Sequence, residues 1–452
     1  MKFKQFSMVS MSLILGTTLA ACSSNSNTSN NKALPSNSST ADTSTTSDAS
    51  KEKVELTFAN WISTEDATKE AYNQLIEGFE STHPNITIKS LGIPFNQYKD
   101  QVLVSATGGN APDIMMANQA FTPAFVGASI VQPLQSLLGE TIANDILPSS
   151  KAGVTYDGQL FAAPWTPHPN ALFWNKTLFQ KAGLDPNTPP TTWDELLKNA
   201  EKIAALKADE NGNPIYGIGE ATKTGSYTGQ MLYRIGLSHG GKFVDDQGKL
   251  VFGEGTALTD SLTYLRGLAD KKLTPIGAEI KDLRGMFANG SLGFLIDGDF
   301  GRNNFRTMSG KGEAFDNEWG VALVPVNQTG RSETIFTEHQ LLISKATTHA
   351  DAAAEFVKYL LSKDALVLYH KLNGVMSSLT SISSLPELNE DDYAKLFNEQ
   401  MKTASPFPTA NPKFDNAMNE ASSLTVLATT TKDDISAIIA KVLPNIQALY
   451  QK

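Results

Sequence analysis

Two tryptophans stand where a flat, rigid face could meet a ligand. Trp61 follows an alternating strand-like run, Val54-Glu55-Leu56-Thr57-Phe58-Ala59, and Trp165 sits in a Pro-rich segment. An indole face suits a sugar ring, whose axial C–H groups form an apolar side while its hydroxyl edge stays polar. Trp174, Trp193 and Trp319 fall inside regular elements and read as packing. Asn118 and Gln119 lie at the carboxyl edge of a buried strand read from Ala111 to Met116, the end of a parallel sheet where ligands bind. Asp297, Asp299 and Glu338 are carboxylates that could accept from hydroxyls or, paired in one site, hydrolyse a glycosidic bond.

Other chemistries lack their residues. The six histidines, at 83, 168, 239, 339, 349 and 370, are scattered with no HExxH pair and no cysteine partner, so no metal site is expected. There is no GxSxG elbow, and Gly219 to Thr224 lacks the Gly before Lys that a phosphate loop needs. No cofactor is implied. The net charge of −10 argues against nucleic acid or an anionic membrane surface as partner.

These residues need elements to hold them. Glu65 to Glu80 and Gln97 to Ala106 read as helices between strands at 54–59, 86–88 and 111–116, which is α/β alternation with a mainly parallel sheet. Phe161 to Trp174 carries three prolines at 164, 167 and 169 and cannot pair throughout as a central strand, so it reads as a chain crossing between two units. Beyond Pro189 and Pro190, Thr192 can cap a helix and Glu195 can reach back, predicting a helix from 192 to 206. Helices are expected at 258–270, 283–289, 351–363, 416–427 and 433–450. Strands are expected at 292–296, 319–326 and 338–344, with a hairpin over 243–252. At 452 residues the chain suits two or three domains.

The stretch LFWNKTLFQKAGLDP…PPTTWDELL, the run ATGGNAPDIMMAN and the run MFANGSLGFLIDGDF together resemble the bacterial extracellular solute-binding proteins, the sugar-binding group that includes maltose-binding protein. The resemblance implies a two-lobed α/β fold of the periplasmic-binding-protein type (type II), with mixed sheets flanked by helices and a hinge of several crossings. Lobe I would take 53–166 and 325–373, and lobe II 167–324 and 374–452. It implies a monomeric, non-enzymatic protein that binds a di- or oligosaccharide between its lobes and passes it to the permease of an ABC importer. A secreted glycoside hydrolase using paired carboxylates is the alternative. His168 and Asn170 lie in the crossover, where the family places sugar-contacting polar groups. Asp299 and Phe300 follow the strand after which it often places a contact, and Phe414 lies where it often contributes a ring. Glu338, and Tyr227 in the loop TKTGSYTGQ, complete the expected site with Trp61, Asn118, Gln119 and Trp165.

Lys2 and Lys4 precede a short apolar run, Met8 to Ala21, which is below the ~20 residues a membrane span needs. Leu19-Ala20-Ala21-Cys22 resembles a lipobox, which implies a signal peptide over 1–21 and a lipid-anchored chain on the extracytoplasmic face of the cell membrane, with the membrane reached through that lipid alone. Cys22 is the single cysteine, so no internal disulfide forms. Residues 22–52, rich in Ser, Asn and Thr, read as a disordered tether.

Overall fold

Among the described residues, twelve strands divide between two main sheets and one small hairpin. The computed structural model describes residues 53–209 and 212–450, so the expected signal peptide, Cys22 and the tether lie outside the described residues. In chain order the strands are β1 (Val54–Asn60), β2 (Ile86–Gly92), β3 (Ile114–Asn118), β4 (Thr155–Tyr156), β5 (Gln159–Leu160), β6 (Ala163–Pro169), β7 (Ala171–Asn175), β8 (Tyr216–Gly219), β9 (Leu292–Asp297), β10 (Trp319–Ala322), β11 (Thr334–Ile343) and β12 (Ala404–Ser405). The first sheet runs β12-β11-β3-β1-β2, with β6 also on β11, and the second runs β10-β7-β9-β8. β4 and β5 pair only with each other. β1 is parallel to both β2 and β3, whereas β11 is antiparallel to β3 and β6. Every residue of β3 and β9 is buried, as strands covered on both faces require.

Each sheet anchors one lobe. The helices Lys69–Thr82 and Phe95–Thr107 cover the first; Trp193–Ala204 covers the second. The second lobe has its own apolar cluster, in which Leu196, Ala200 and Ile203 of that helix meet Leu172, Ile218 and Phe294. The capping box forms as expected: Thr192 accepts from the Glu195 amide, and Glu195 accepts from the Thr192 amide. The helix expected from Glu65 starts at Lys69 instead, because Ile62–Thr64 forms a 3₁₀ turn and the Thr68 hydroxyl donates to the Ile62 carbonyl at 2.6 Å. The hairpin expected over 243–252 reduces to one bridge, Val244 to Leu250, around a turn in which Asp245 accepts from the amides of Gln247 and Lys249.

The Pro-rich crossover is a strand after all, but a one-sided one. β6 pairs only with β11, and its register slips by one residue at Trp165. Asn170 donates its amide to Ile335, so residues 168 and 166 face β11 and Pro167 and Pro169 face away. The extra residue at 165 brings Pro164 into the same outward phase. A β-bulge therefore lets three residues without an N–H lie in one ladder with no missing donor. The chain then changes sheet at Asn170, between β6 and β7, rather than at 166/167. It returns between β10 and β11. The short β12 keeps part of the C-terminal third on the first sheet, while the helix Phe414–Thr430 packs on Ser226–Ser238 of the second lobe.

Candidate functional site

A string of rings crosses the seam between the two sheets. Trp61, one residue past β1, stands edge-on to Phe95, Tyr98 and His339, with centroids 5.4, 5.0 and 5.2 Å away. His339 on β11 meets His168 on β6 at 4.4 Å, and His168 meets Phe300 at 5.1 Å. Phe300 follows β9 in the second lobe, and the Arg284 guanidinium lies over its ring at 4.8 Å. The strand ends of both sheets converge here, which is where an open α/β sheet leaves a crevice.

Charge gathers at the second-lobe end. Arg284, on the helix Ile280–Ala288, makes two bonds to Asp297, Nε to Oδ2 at 2.6 Å and Nη2 to Oδ1 at 3.0 Å. Burial opposes its charge, but Asp297 outweighs this and holds the guanidinium above its usual value. Glu65 approaches from the first lobe; burial pushes its carboxyl up, while Arg284 and Lys281 pull it down. The Tyr227 phenol, at the start of the helix Ser226–Ser238, is raised by burial and by the field of Asp297. No side-chain hydrogen bond to a described residue engages Glu65, Tyr227 or the Trp61 indole N–H.

From these rings a hydrogen-bonded chain runs into the interior. His168 Nδ1 is 2.6 Å from Asp299 Oδ1, and Asp299 Oδ2 accepts from the Met376 amide at 3.1 Å. His168 Nε2 faces the Thr166 hydroxyl at 3.0 Å and His339 Nδ1 at 3.2 Å. Burial pushes His168 down to about 3 and Asp299 well up, since neither charged form is solvated there. His339 is likewise held well below the usual imidazole range.

The structure thus brings together Trp61, His168, Asp299 and Phe300, with Tyr227 in electrostatic reach, and seats the other expected residues elsewhere. Trp165 does not face the seam: it stacks on Tyr369 at 4.8 Å, and its indole donates to the Leu360 carbonyl. Phe414 is fully buried between Phe243 and Phe407. Asn118 accepts from the amides of Ala120 and Phe121, holding the turn after β3. Gln119 accepts from the Phe407 amide, and Asn170 is buried at the change of sheet. Glu338 projects to the opposite face of β11 from His339 and is engaged by Ser378 and Gln340. Asp299 lies behind the rings with both oxygens engaged. Glu65 and Arg284 join the site without having been singled out, whereas Asp297 was already a candidate carboxylate and His339 a weaker candidate beside Glu338. For His339 the signal was available: it differs from Glu338 by one step of a period-2 strand.

A surface recess of about 860 Å³, lined by Phe179, Leu184, Pro189, Glu195 and Lys202 among others, shares no residue with this seam. Among the described residues no cluster of His, Cys, Asp or Glu could hold a metal ion, and no helix is long and apolar enough to cross a membrane.

Known proteins share this architecture. The model of the family described as bacterial extracellular solute-binding protein matches residues 63–366. A putative binding protein of Brucella abortus is 24% identical over 322 residues, covering 70% of this chain and 74% of that protein. The mannitol-binding protein of Pseudomonas aeruginosa is 24% identical over 351 residues, covering 75% and 78%. An ABC transporter solute-binding protein of Thermotoga lettingae, solved with α-D-tagatose, has a TM-score of 0.78 at 22% identity and covers 88% of this chain and 100% of its own. Maltose-bound MalE3 of T. maritima gives 0.76 at 20% identity, with the same coverage. The fold is the two-lobed type II arrangement of these binding proteins.

Proposed function

The chain belongs to the bacterial extracellular solute-binding protein family, and on that premise we propose that it captures a carbohydrate, a di- or oligosaccharide, in the seam between its lobes and delivers it to an ABC importer. The observation that carries this reading is the ring string from Trp61 to Phe300, bordered by the unengaged polar groups of Glu65, Tyr227 and the Trp61 indole. A sugar offers an apolar face for the rings and hydroxyls for those groups. Relatives that bind mannitol or multiple sugars, and neighbours solved with tagatose or maltose, support the same class.

Closure follows from differential binding. A guest that touches both lobes favours the closed form by the contacts it loses when they part. Lys99 of the first lobe pairs with Asp415 of the second, which the Ser226 hydroxyl also engages, so the closed arrangement carries a bridge of its own. Acylated Cys22 would hold the monomer at the outer face of the cell membrane; Cys22→Ser should abolish incorporation of labelled palmitate.

Thermal denaturation against a panel of tagatose, maltose, mannobiose and mannitol tests the ligand class. A sugar at 100 times its Kd stabilises the native state by ~2.7 kcal/mol. A panel that leaves Tm unmoved removes the carbohydrate reading. Turnover of an oligosaccharide by the purified protein replaces it with a hydrolase.

A further inference from the structure

We propose that His168 and Asp299 are positioning residues that fix the tautomer of His339, so that its Nε2–H is presented as a donor to a ligand oxygen. This rests on the reading of the seam as the carbohydrate site, and names the chemistry one position in it accepts.

The argument is an account of protons along one chain of contacts. A single proton occupies the 2.6 Å gap between Asp299 Oδ1 and His168 Nδ1. It sits on oxygen or on nitrogen. The carboxyl is fully buried, and no Lys or Arg among the described residues bonds to it. The nearby cations are committed elsewhere: Arg284 to Asp297, and Arg302 to Asp391. His370 Nδ1 is engaged by the Val375 carbonyl. With the proton on nitrogen the site would hold either a lone carboxylate or a carboxylate–imidazolium pair, and both are costly with each side chain fully buried, so the proton stays on oxygen and the pair is neutral. Asp299 then donates through Oδ1 and accepts the Met376 amide through Oδ2, which satisfies both oxygens.

The rest follows by exclusion. With Nδ1 accepting, the neutral His168 ring carries its hydrogen on Nε2, aimed between the Thr166 hydroxyl and His339 Nδ1. A hydrogen on His339 Nδ1 would oppose it, so the His339 hydrogen sits on Nε2. That nitrogen bonds to no described residue, and the ring stands edge-on to Trp61 at 5.2 Å. A guest lying by the indole therefore meets a donor. A hydroxyl, ring oxygen or carboxylate oxygen fits there, and an ammonium group does not.

Nitrogen-15 NMR of the histidine rings in the full chain at pH 7 tests the proposal, because the two-bond couplings report which nitrogen bears the proton. The expected result is the Nε2–H tautomer for both His168 and His339. Asp299→Asn should preserve it, since the amide supplies one donor and one acceptor in place of the acid, and Asp299→Ala should leave His339 a mixture of tautomers. Maltose titration is the second readout: Asp299→Asn should bind within about twofold of the native chain, and Asp299→Ala should bind about tenfold more weakly. A native His168 protonated on Nδ1, or a His339 tautomer unmoved in Asp299→Ala, overturns the proposal. The native spectrum stands without any variant if Asp299→Ala fails to fold. Should no sugar bind the native chain, the ligand half falls with the site reading, while the spectrum still decides the proton arrangement.

Discussion

Arg234 and Arg284 each grip a carboxylate in the second lobe, in opposite surroundings. Arg234 Nη2 reaches both oxygens of Glu220 at 2.9 and 2.7 Å, with side chains only 1% and 3% exposed. Arg284 binds Asp297 through two parallel bonds, yet keeps 18% of its side chain open, with Phe300 beneath it and Glu65 facing it. The sealed pair has no accessible side to receive a guest, although Arg234 Nε and Nη1 find no hydrogen-bond partner among the described residues; the open pair borders Glu65 and Tyr227, which reach the seam. Burial of charge alone therefore identifies structure; an ion pair with one accessible side, beside unengaged donors and acceptors, identifies a place for a ligand.

The largest expected effect separates the two pairs. Arg234→Met leaves Glu220 buried without its cation and should cost ~3–5 kcal/mol of stability, read as a lower urea midpoint at unchanged slope. Arg284→Met should cost less, ~1–3 kcal/mol, because removing the partly exposed guanidinium opens a path for water to Asp297. It should weaken sugar binding at least tenfold, whereas Arg234→Met should leave affinity intact in the molecules that remain folded. Equal destabilisation by both, with affinity untouched in Arg284→Met, would erase the distinction.

The Asp299–His168 pair sharpens the same contrast through pH. The carboxyl is raised in the folded state and the imidazole lowered to about 3, so the folded pair holds one titratable proton over a wide range. The unfolded chain holds two below the ordinary Asp value of 3.8, one between 3.8 and 6.5, and none above 6.5. Stability from the pair is therefore flat between those values. It falls below 3.8, where the unfolded state binds more protons, and falls above 6.5, where the folded state does. The alkaline loss is ~1.4 kcal/mol per pH unit until the folded carboxyl ionises. Asp299→Asn should abolish that alkaline slope in urea titrations between pH 6.5 and 8; persistence of the slope would place the proton elsewhere.

Local signals explain what the sequence could reveal. Thr192 and Glu195 are three residues apart, so their capping box depends on nothing distant. The strand at 54–59 was legible for the same reason. Trp165 was not, because its stacking partner Tyr369 and its acceptor Leu360 come from about two hundred residues away. The prolines of β6 argued against a strand that pairs throughout, but a bulge that turns all three outward lets the segment pair with β11 and leaves no mark in composition. Arg284 gave no signal, since its meaning depends on Asp297, thirteen residues on and across a helix–strand turn.

The smallest effect concerns the bridge between lobes rather than within one. Asp415 is held by Ser226 inside the second lobe whether or not the lobes meet, so it is placed before Lys99 arrives from the first. Lys99 is 20% exposed and Asp415 6%, a half-shielded pair for which ~1 kcal/mol is the expected scale. Because the pair spans the seam, that energy acts on the open–closed equilibrium more than on folding. Lys99→Met should raise the apparent Kd for a bound sugar about fivefold, with a urea midpoint close to native. Native affinity should also decline between 50 mM and 500 mM salt while the variant's stays level, since screening and the substitution remove the same attraction. A variant that keeps the native salt dependence would show that Lys99 and Asp415 hold the closed form no more firmly than any surface pair.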